Sequence, residues 1–262
     1  MVADWQLPPG VSRGLWEYVH DGDIARNYDA ALAQTPLLTC DAMFVREHCP
    51  APGRLIDLGC GSGRLSVALA REGFWCLAVD LSEEMLRVVA AKAEAARVEV
   101  PRLKANLVDL GGLADGSFDY AASLFHTLGM IDTPEARSRA VAEVHRLLRP
   151  GGTFILHVHN RWFNVWTRHG RRLLLADLWR SLLGRQRAGD YLMPPHQGIG
   201  SMPMHLFTRR EAVRLLVEAG FAVKEIRPVS VDGFLKWPRW FAAARSFGYL
   251  IAATSESIRS RA

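Results

Sequence analysis

Short apolar runs alternate with longer segments of helical period along most of the chain, beginning at Arg54. This alternation is typical of a mostly parallel sheet with helices on both faces, because each parallel strand is buried on both sides. We therefore predict an α/β fold with a doubly wound, seven-stranded sheet. The predicted strands are residues 54–58, 74–80, 101–105, 118–124, 153–158, 221–227 and 246–254.

Two of the predicted helices have clear ends. Residues 134–148 place apolar side chains on one helical face, and the sequence Pro150-Gly151-Gly152 ends that helix. A second helix begins after Thr208, because Thr208 and Glu211 have the spacing of a capping box, and it ends at Gly220.

Two stretches lie outside the alternation. Residues 1–50 have a helical pattern and precede the first strand, so we expect a cap over the carboxyl edge of the sheet, with the main domain at residues 51–262. Residues from about 160 to 204 follow the fifth strand and are too many for an ordinary connection. We expect this insert to carry structure of its own and to determine specificity.

Composition narrows the class of protein. Hydrophobic residues make up 49% of the 262 residues, enough for one large domain with a full core. The net charge of +5 is too small to indicate a nucleic-acid partner by itself. The four cysteines form no Cys-x-x-Cys pair, and no stretch reads as a signal peptide or a membrane span. We therefore expect a soluble, cytoplasmic protein.

The first predicted strand ends in a glycine-rich turn, Asp57-Leu58-Gly59-Cys60-Gly61-Ser62-Gly63, and a helical run from Arg64 to Arg71 follows. Glycines let the backbone bend tightly and approach a ligand closely, so this turn predicts a nucleotide site. The third glycine of a dinucleotide fingerprint would fall at Arg64, which argues against NAD. No Gly-Lys-Ser or Gly-Lys-Thr follows, which argues against ATP hydrolysis.

Polar residues also follow the next two predicted strands. Asp80 ends the second strand, where its carboxylate can accept hydrogen bonds from both hydroxyls of a ribose, although it can equally cap the helix that starts near Ser82. Asn106 and Leu107 follow the third strand, where they can meet the edge and the face of an adenine or simply form a polar loop.

These motifs, in this order, resemble the class I S-adenosylmethionine-dependent methyltransferases. The resemblance covers about residues 50–160, and the sequence Ala219-Gly220-Phe221 is similar to the family's last crossover. It rests on residues 57–63, on Val79-Asp80-Leu81-Ser82, on Asp115-Gly116-Ser117-Phe118-Asp119 and on Leu147-Leu148-Arg149-Pro150-Gly151-Gly152. It implies a Rossmann-like sheet of order 3-2-1-4-5-7-6 with the last strand antiparallel.

The resemblance also implies a donor site for S-adenosylmethionine. Its members would be Asp57, the glycines at 59 and 61 at the methionine portion, Asp80 at the ribose, Leu81 and Leu107 on the adenine faces, Asn106 at its amino group and Leu124 near the sulfonium. Asn106 departs from the acid that is common at its position in the family. Tyr28 of the cap either closes over the donor or packs as an ordinary aromatic.

Methyl transfer needs few catalytic residues, because the donor supplies the reactivity and the protein mainly aligns the reactants. A protonated acceptor would need a base near the end of the fourth strand, where His126 lies, and His159 at the end of the fifth strand is a second candidate. Either histidine can instead be an ordinary hydrogen-bonded residue. The remaining histidines have no ligand spacing, so we expect no metal site.

Residues 161–187 of the insert combine seven arginines with tryptophan, phenylalanine and leucine. Such a segment can bind RNA, can lie on an anionic membrane, or can form a lid that packs its apolar side on the main domain. We favour the lid, with Leu173, Leu174, Leu178, Trp179, Leu182 and Leu183 packed inward.

Three functions fit these observations. The first is a methyltransferase that acts on a small-molecule acceptor, which agrees with the short cap and with the lack of an appended RNA-binding module. The second is an RNA methyltransferase that uses the basic and aromatic insert. The third is a protein that binds S-adenosylmethionine without catalysis. The sequence identifies neither the acceptor nor the oligomeric state.

Overall fold

A computed structural model describes residues 3–33, 35–166, 168–184, 188–193, 202–234 and 245–256. The parts of the predicted insert at 167, 185–187 and 194–201 lie outside the described residues, as does Gln34 of the predicted cap. The strands are β1 (Arg54–Leu58), β2 (Trp75–Asp80), β3 (Arg102–Lys104), β4 (Phe118–Ser123), β5 (Leu148–His159), β6 (Asp190–Met193), β7 (Met202–His205), β8 (Phe221–Ser230), β9 (Gly233–Phe234) and β10 (Gly248–Ser255).

The main sheet has the order β3-β2-β1-β4-β5-β10-β8-β9. β1 to β5 are parallel, and β10 is antiparallel to both of its neighbours, as the sequence predicts. The prediction of seven strands was wrong, because this sheet has eight. The additional strand, β9, pairs with the end of β8 after a turn at Val231 and Asp232, and its two residues are too few to produce an apolar run.

Three α-helices precede the sheet, and the others connect or flank its strands. The helices are α1 (Arg13–Val19), α2 (Gly22–Leu32), α3 (Pro36–His48), α4 (Arg64–Arg71), α5 (Glu83–Ala96), α6 (Thr127–Met130), α7 (Pro134–Leu147), α8 (Arg168–Leu182) and α9 (Arg209–Glu218), with 3-10 helices at Asp4–Gln6 and Arg161–Trp166. The capping box predicted for α9 is confirmed: Thr208 Oγ1 accepts from the N–H of Glu211, and Glu211 accepts from the N–H of Thr208.

The two faces of the sheet form separate parts of the core. Ile56 and Phe154 pack with α7 and α9 on one face, whereas Leu55 and Ile155 pack with Phe44 of α3 on the other. This arrangement follows from the alternation of side chains along each strand. Each fully buried side chain of this size stabilises the fold by roughly 1.5–3 kcal/mol, so both faces fix the position of the strand ends.

The expected inward packing of the insert was wrong for most of its leucines and for Trp179. Leu178, Trp179, Leu182 and Leu183 are exposed on α8, while Leu174 is half-buried. The side chain of Leu173 lies outside the described residues. The helix instead turns Gly170, Leu174 and Asp177 inward, and Arg161 pairs with Asp177 at 2.6 Å. Among the helices that the structure describes, none is long and apolar enough to cross a bilayer.

Candidate active site

The turn between β1 and α4 brings backbone close to a cavity. Gly59 and Gly61 have φ angles of +71° and +51°, a region that favours glycine. A Cβ at Gly59 would lie 2.2 Å from Cγ2 of Thr127, and one at Gly61 would lie 3.3 Å from Cε1 of Tyr28. The two glycines therefore let the turn pass beneath these two side chains.

Asp80 connects this turn to the end of β2. Its Oδ2 accepts from the N–H of Gly61 at 2.8 Å, and its Oδ1 accepts from the N–H of Ser82, at the start of α5, also at 2.8 Å. Burial raises the pKa of Asp80 above its ordinary value, and the backbone hydrogen bonds oppose that shift. Each carboxylate oxygen has a second lone pair, so Asp80 can still accept hydrogen bonds from a ligand.

Asp57 lies beneath the turn, with 3% of its surface exposed. Its Oδ2 accepts from Oγ of Ser66 in α4. Burial raises the pKa of Asp57 to about 6, because the charged form is poorly solvated there. Asp57 therefore holds its proton at a pH where an exposed aspartate has lost it.

A cavity of about 400 Å³ lies at the carboxyl edge of the sheet. Pockets for small ligands have volumes of roughly 300–1,000 Å³, so this cavity is large enough for one. All nine residues predicted to hold the donor line it: Tyr28, Asp57, Gly59, Gly61, Asp80, Leu81, Asn106, Leu107 and Leu124.

Asn106 is held in place by the cap. Its Nδ2 donates to the carbonyl of Pro9 at 2.8 Å, and its Oδ1 accepts from the N–H of Val108 at 3.1 Å. Both ends of the side-chain amide thus have partners within the chain. The amide fixes residues 9–11 over the cavity, and its predicted contact with an adenine stays a prediction.

The histidines predicted as bases do not line the cavity. His126 has a φ of +71°, and its buried ring stacks on that of His159 at 4.1 Å. Its Nδ1 accepts from the N–H of His159 at 2.9 Å. Burial lowers the pKa of His126 to about 3 and that of His159 well below its ordinary value. A catalytic role for either stays a prediction that this placement does not favour.

Three charged residues that line the cavity were not predicted from the sequence: Asp41, Arg46 and Arg64. Arg64 lies 5.9 Å from the ring centroid of Tyr28, and its position directly after the glycine turn was a usable signal. Asp41 and Arg46 belong to α3, and nothing in a helical pattern indicates which face will meet a cavity. Among the described residues, no cluster of three or more potential metal ligands occurs.

Comparison with known proteins agrees with this architecture. The family model described as a methyltransferase domain matches residues 56–156. The ubiquinone biosynthesis O-methyltransferase of Xanthomonas campestris is 36% identical over 140 residues, or 52% of this chain. A Geobacillus sp. protein is 36% identical over 141 residues. These matches span 57% and 56% of the two relatives, so the chain covers little more than half of their length.

Two solved structures share the fold. A SAM-dependent methyltransferase from Methanosarcina mazei aligns with a TM-score of 0.65 and 25% identity over 81% of this chain and 97% of its own. A Burkholderia thailandensis 1,6-didemethyltoxoflavin N1-methyltransferase, solved with bound S-adenosylhomocysteine, aligns with a TM-score of 0.62 and 19% identity over 96% of this chain and 93% of its own. The fold, the glycine turn and these similarities lead to one conclusion: residues 56–156 match a methyltransferase domain, and the chain has the fold of S-adenosylmethionine-dependent methyltransferases.

Proposed function

We propose that this chain is a methyltransferase that transfers the methyl group of S-adenosylmethionine to an oxygen, nitrogen or carbon of a small-molecule acceptor in the cytoplasm. The observation that carries the proposal is the link between Asp80 and the N–H of Gly61 beside the cavity. A single carboxylate there fixes the turn and keeps lone pairs for a ribose.

The residues around the cavity fit this donor. Asp80 would bind the ribose hydroxyls, Leu81 and Leu107 would contact the adenine, and the backbone at Gly59 and Gly61 would meet the methionine portion, with Tyr28 covering it. When bound, S-adenosylmethionine supplies a methyl group that an aligned acceptor atom can displace from sulfur. The chain's own part is to orient the reactants and to exclude water.

The names of similar proteins support a small-molecule acceptor. One relative is a ubiquinone biosynthesis O-methyltransferase, and one structural neighbour is a toxoflavin-type N-methyltransferase. No observation favours RNA as the acceptor or a protein without catalysis. The four cysteines are free and buried, which agrees with a reducing compartment.

Calorimetry with S-adenosylhomocysteine tests the proposal first. We expect saturable binding with one molecule per chain. A methyl-labelled donor, incubated with protein and a small-molecule cell extract, should then give a labelled product of low molecular mass. Absence of binding would refute the donor site, and binding without any labelled product would support the non-catalytic alternative.

A further inference from the structure

Asp41 lines the cavity on the side of α3, away from the strand ends that carry Asp80 and Asn106. α3 directs Leu38, Asp41, Ala42 and Arg46 to the cavity, a spacing of three and four residues that places them on one helical face. α3 packs against β5, β8, β9 and β10. The sheet order places these strands on the opposite side of β1 from β2 and β3, whose ends carry Asp80 and Asn106.

The part of the cavity beside α3 is mostly apolar. We call it the α3 compartment, and Asp41 is its buried charged group. Its apolar wall consists of Leu38, Ala42, Leu65, Leu124 and Phe125. Thr39 and Arg46 also border it, and Arg46 is exposed and paired with Glu72. An apolar molecule that enters it would lose water around its polar atoms, so any hydroxyl or N–H that it carries needs a partner there.

Asp41 offers such a partner. It is 4% exposed and lines the cavity, and Nδ1 of His157 contacts its Oδ1 at 2.7 Å. His157 does not line the cavity, so Oδ2 is the oxygen of Asp41 that can accept a hydrogen bond from a ligand there. His157 is fully buried in β5. Its Nε2 packs closely on Gly248, since a Cβ at that glycine would lie only 2.9 Å from this nitrogen.

We propose that the α3 compartment binds the acceptor and that Asp41 accepts a hydrogen bond from its reactive hydroxyl or N–H. This inference rests on the proposed methyl transfer. As the acceptor atom forms its bond to the methyl carbon, the carbon–sulfur bond breaks and its electron pair stays on sulfur. The proton of the hydroxyl or N–H passes to the carboxylate of Asp41. His157 is a positioning residue that holds the carboxylate by contact.

A matched pair of small probes tests the site without knowledge of the natural acceptor. Phenol and toluene have nearly the same shape, but only phenol carries a hydrogen-bond donor. With the protein saturated by S-adenosylhomocysteine, we expect NMR titration to show phenol binding at least about tenfold more tightly than toluene. Asp41→Ala should remove that preference, while Asp23→Ala, an exposed carboxylate of α2, should retain it.

His157 is tested by its contact with Asp41. His157→Phe should reduce the preference for phenol, and His157→Gln, which restores a donor near Asp41, should recover part of it. Equal binding of both probes to the unsubstituted protein, including no binding of either, would overturn the proposal. So would a preference that survives Asp41→Ala. Calorimetry with S-adenosylhomocysteine on every variant reports whether that variant is folded. If the unsubstituted protein does not bind S-adenosylhomocysteine, the methyltransferase assignment is refuted instead.

A second inference concerns the exposed surface of α8 and rests on different observations. Five apolar residues of α8 and its end are 49–74% exposed and follow a spacing of three and four residues. We call this surface the α8 outer face: Leu175, Leu178, Trp179, Leu182 and Leu183. Contiguous exposed apolar patches are rare on monomeric proteins and mark sites of interaction.

The charges beside this face are positive. Arg168, Arg171 and Arg172 are exposed in the first turns of α8, and within the described part of the chain none of them forms an ion pair. Asp177 faces inward and pairs with Arg161. An apolar helical face bordered by arginines is complementary to an anionic lipid surface, where the leucines and Trp179 enter the headgroup boundary. We infer that α8 docks on anionic membranes, independently of the donor site.

Vesicle sedimentation tests this inference. We expect binding to vesicles of phosphatidylglycerol and phosphatidylcholine, and much weaker binding to phosphatidylcholine alone. The double substitution Leu178→Ser and Trp179→Ser should reduce binding at least about tenfold, whereas Val217→Ser, a 56% exposed apolar residue of α9, should not change it. No binding, or binding unaffected by the double substitution, would overturn the inference. Retention on polyuridylate with inert vesicles would identify a nucleic-acid surface instead.

Discussion

The helices before β1 and the insert after β5 both lie outside the strand and helix alternation, yet they differ in what they contact. α1 to α3 contribute Leu15, Tyr18, Tyr28 and Asp41 to the cavity. No residue of the described part of the insert lines it, and α8 exposes its apolar side chains. The difference shows that position relative to the sheet, and not composition, determines which added segment completes the site.

Hydrogen bonds explain why the first segment is held over the cavity. Oγ of Ser82 donates to the carbonyl of Val19 at 2.6 Å, and the N–H of Asp132 donates to the carbonyl of Gly10 at 2.9 Å. These bonds connect loops at the ends of the strands to the backbone of the cap. The lid role predicted for the insert stays a prediction, and five substitutions test the contrast.

Gly61→Val should have the largest effect. The φ of +51° is strained for valine, and its side chain would meet the ring of Tyr28 at about 3.3 Å, so it would occupy the space between cap and turn. We expect no measurable binding of S-adenosylhomocysteine by calorimetry. Gly112→Val is the control, because no atom lies within 4 Å of a Cβ there. Normal binding by Gly61→Val would show that the cap and turn do not enclose the donor.

The accuracy of the sequence analysis was highest where one local pattern determines the result. β1 and α4 begin and end at the predicted residues, because an apolar run ends at the glycine turn and the helical pattern starts directly after it. Asp41 and His157 are 116 residues apart, and only the packing of α3 on β5 brings them together. The buried ring of His126 stacks on that of His159 and does not line the cavity, and no residue pattern indicated its left-handed backbone.

Asp80→Ala should have the next largest effect on the cavity side. It removes the acceptor for the N–H of Gly61 and the predicted partner of the ribose. We expect donor affinity to fall by about 1–3 kcal/mol, the range for hydrogen bonds to a charged group. Calorimetry provides the measurement, and circular dichroism should show an intact fold. Asp109→Ala, an exposed acid after β3, serves as the control. Unchanged affinity would remove Asp80 from the site.

Asp57 should make folding stability depend on pH. Burial raises its pKa to about 6 in the folded protein, above a value near 4 in the unfolded chain. The folded state therefore binds the proton more tightly, so this contribution is complete below about pH 4 and is lost as the pH rises through about 6. Its size is about 3 kcal/mol, because each unit of pKa difference is worth about 1.4 kcal/mol.

Urea unfolding of the unsubstituted protein and of Asp57→Asn, at several values between pH 4 and 7, measures this contribution. The difference in free energy of unfolding between the two should shift in favour of the variant as the pH rises, because asparagine cannot ionise. A difference that stays constant across this range would show that burial does not raise the pKa of Asp57.

The smallest effects come from a matched pair of aromatic residues, one on each side of the comparison. Tyr28→Ala opens the cap over Gly61 and should weaken binding of S-adenosylhomocysteine about tenfold, or about 1.4 kcal/mol, because water then reaches the turn. Trp179→Ala removes a side chain that is 66% exposed and should change both donor affinity and the free energy of unfolding by less than about 0.5 kcal/mol. Calorimetry and urea unfolding of both variants give the comparison. Equal losses of donor affinity would mean that the insert reaches the cavity, and the contrast between the two segments would then be wrong.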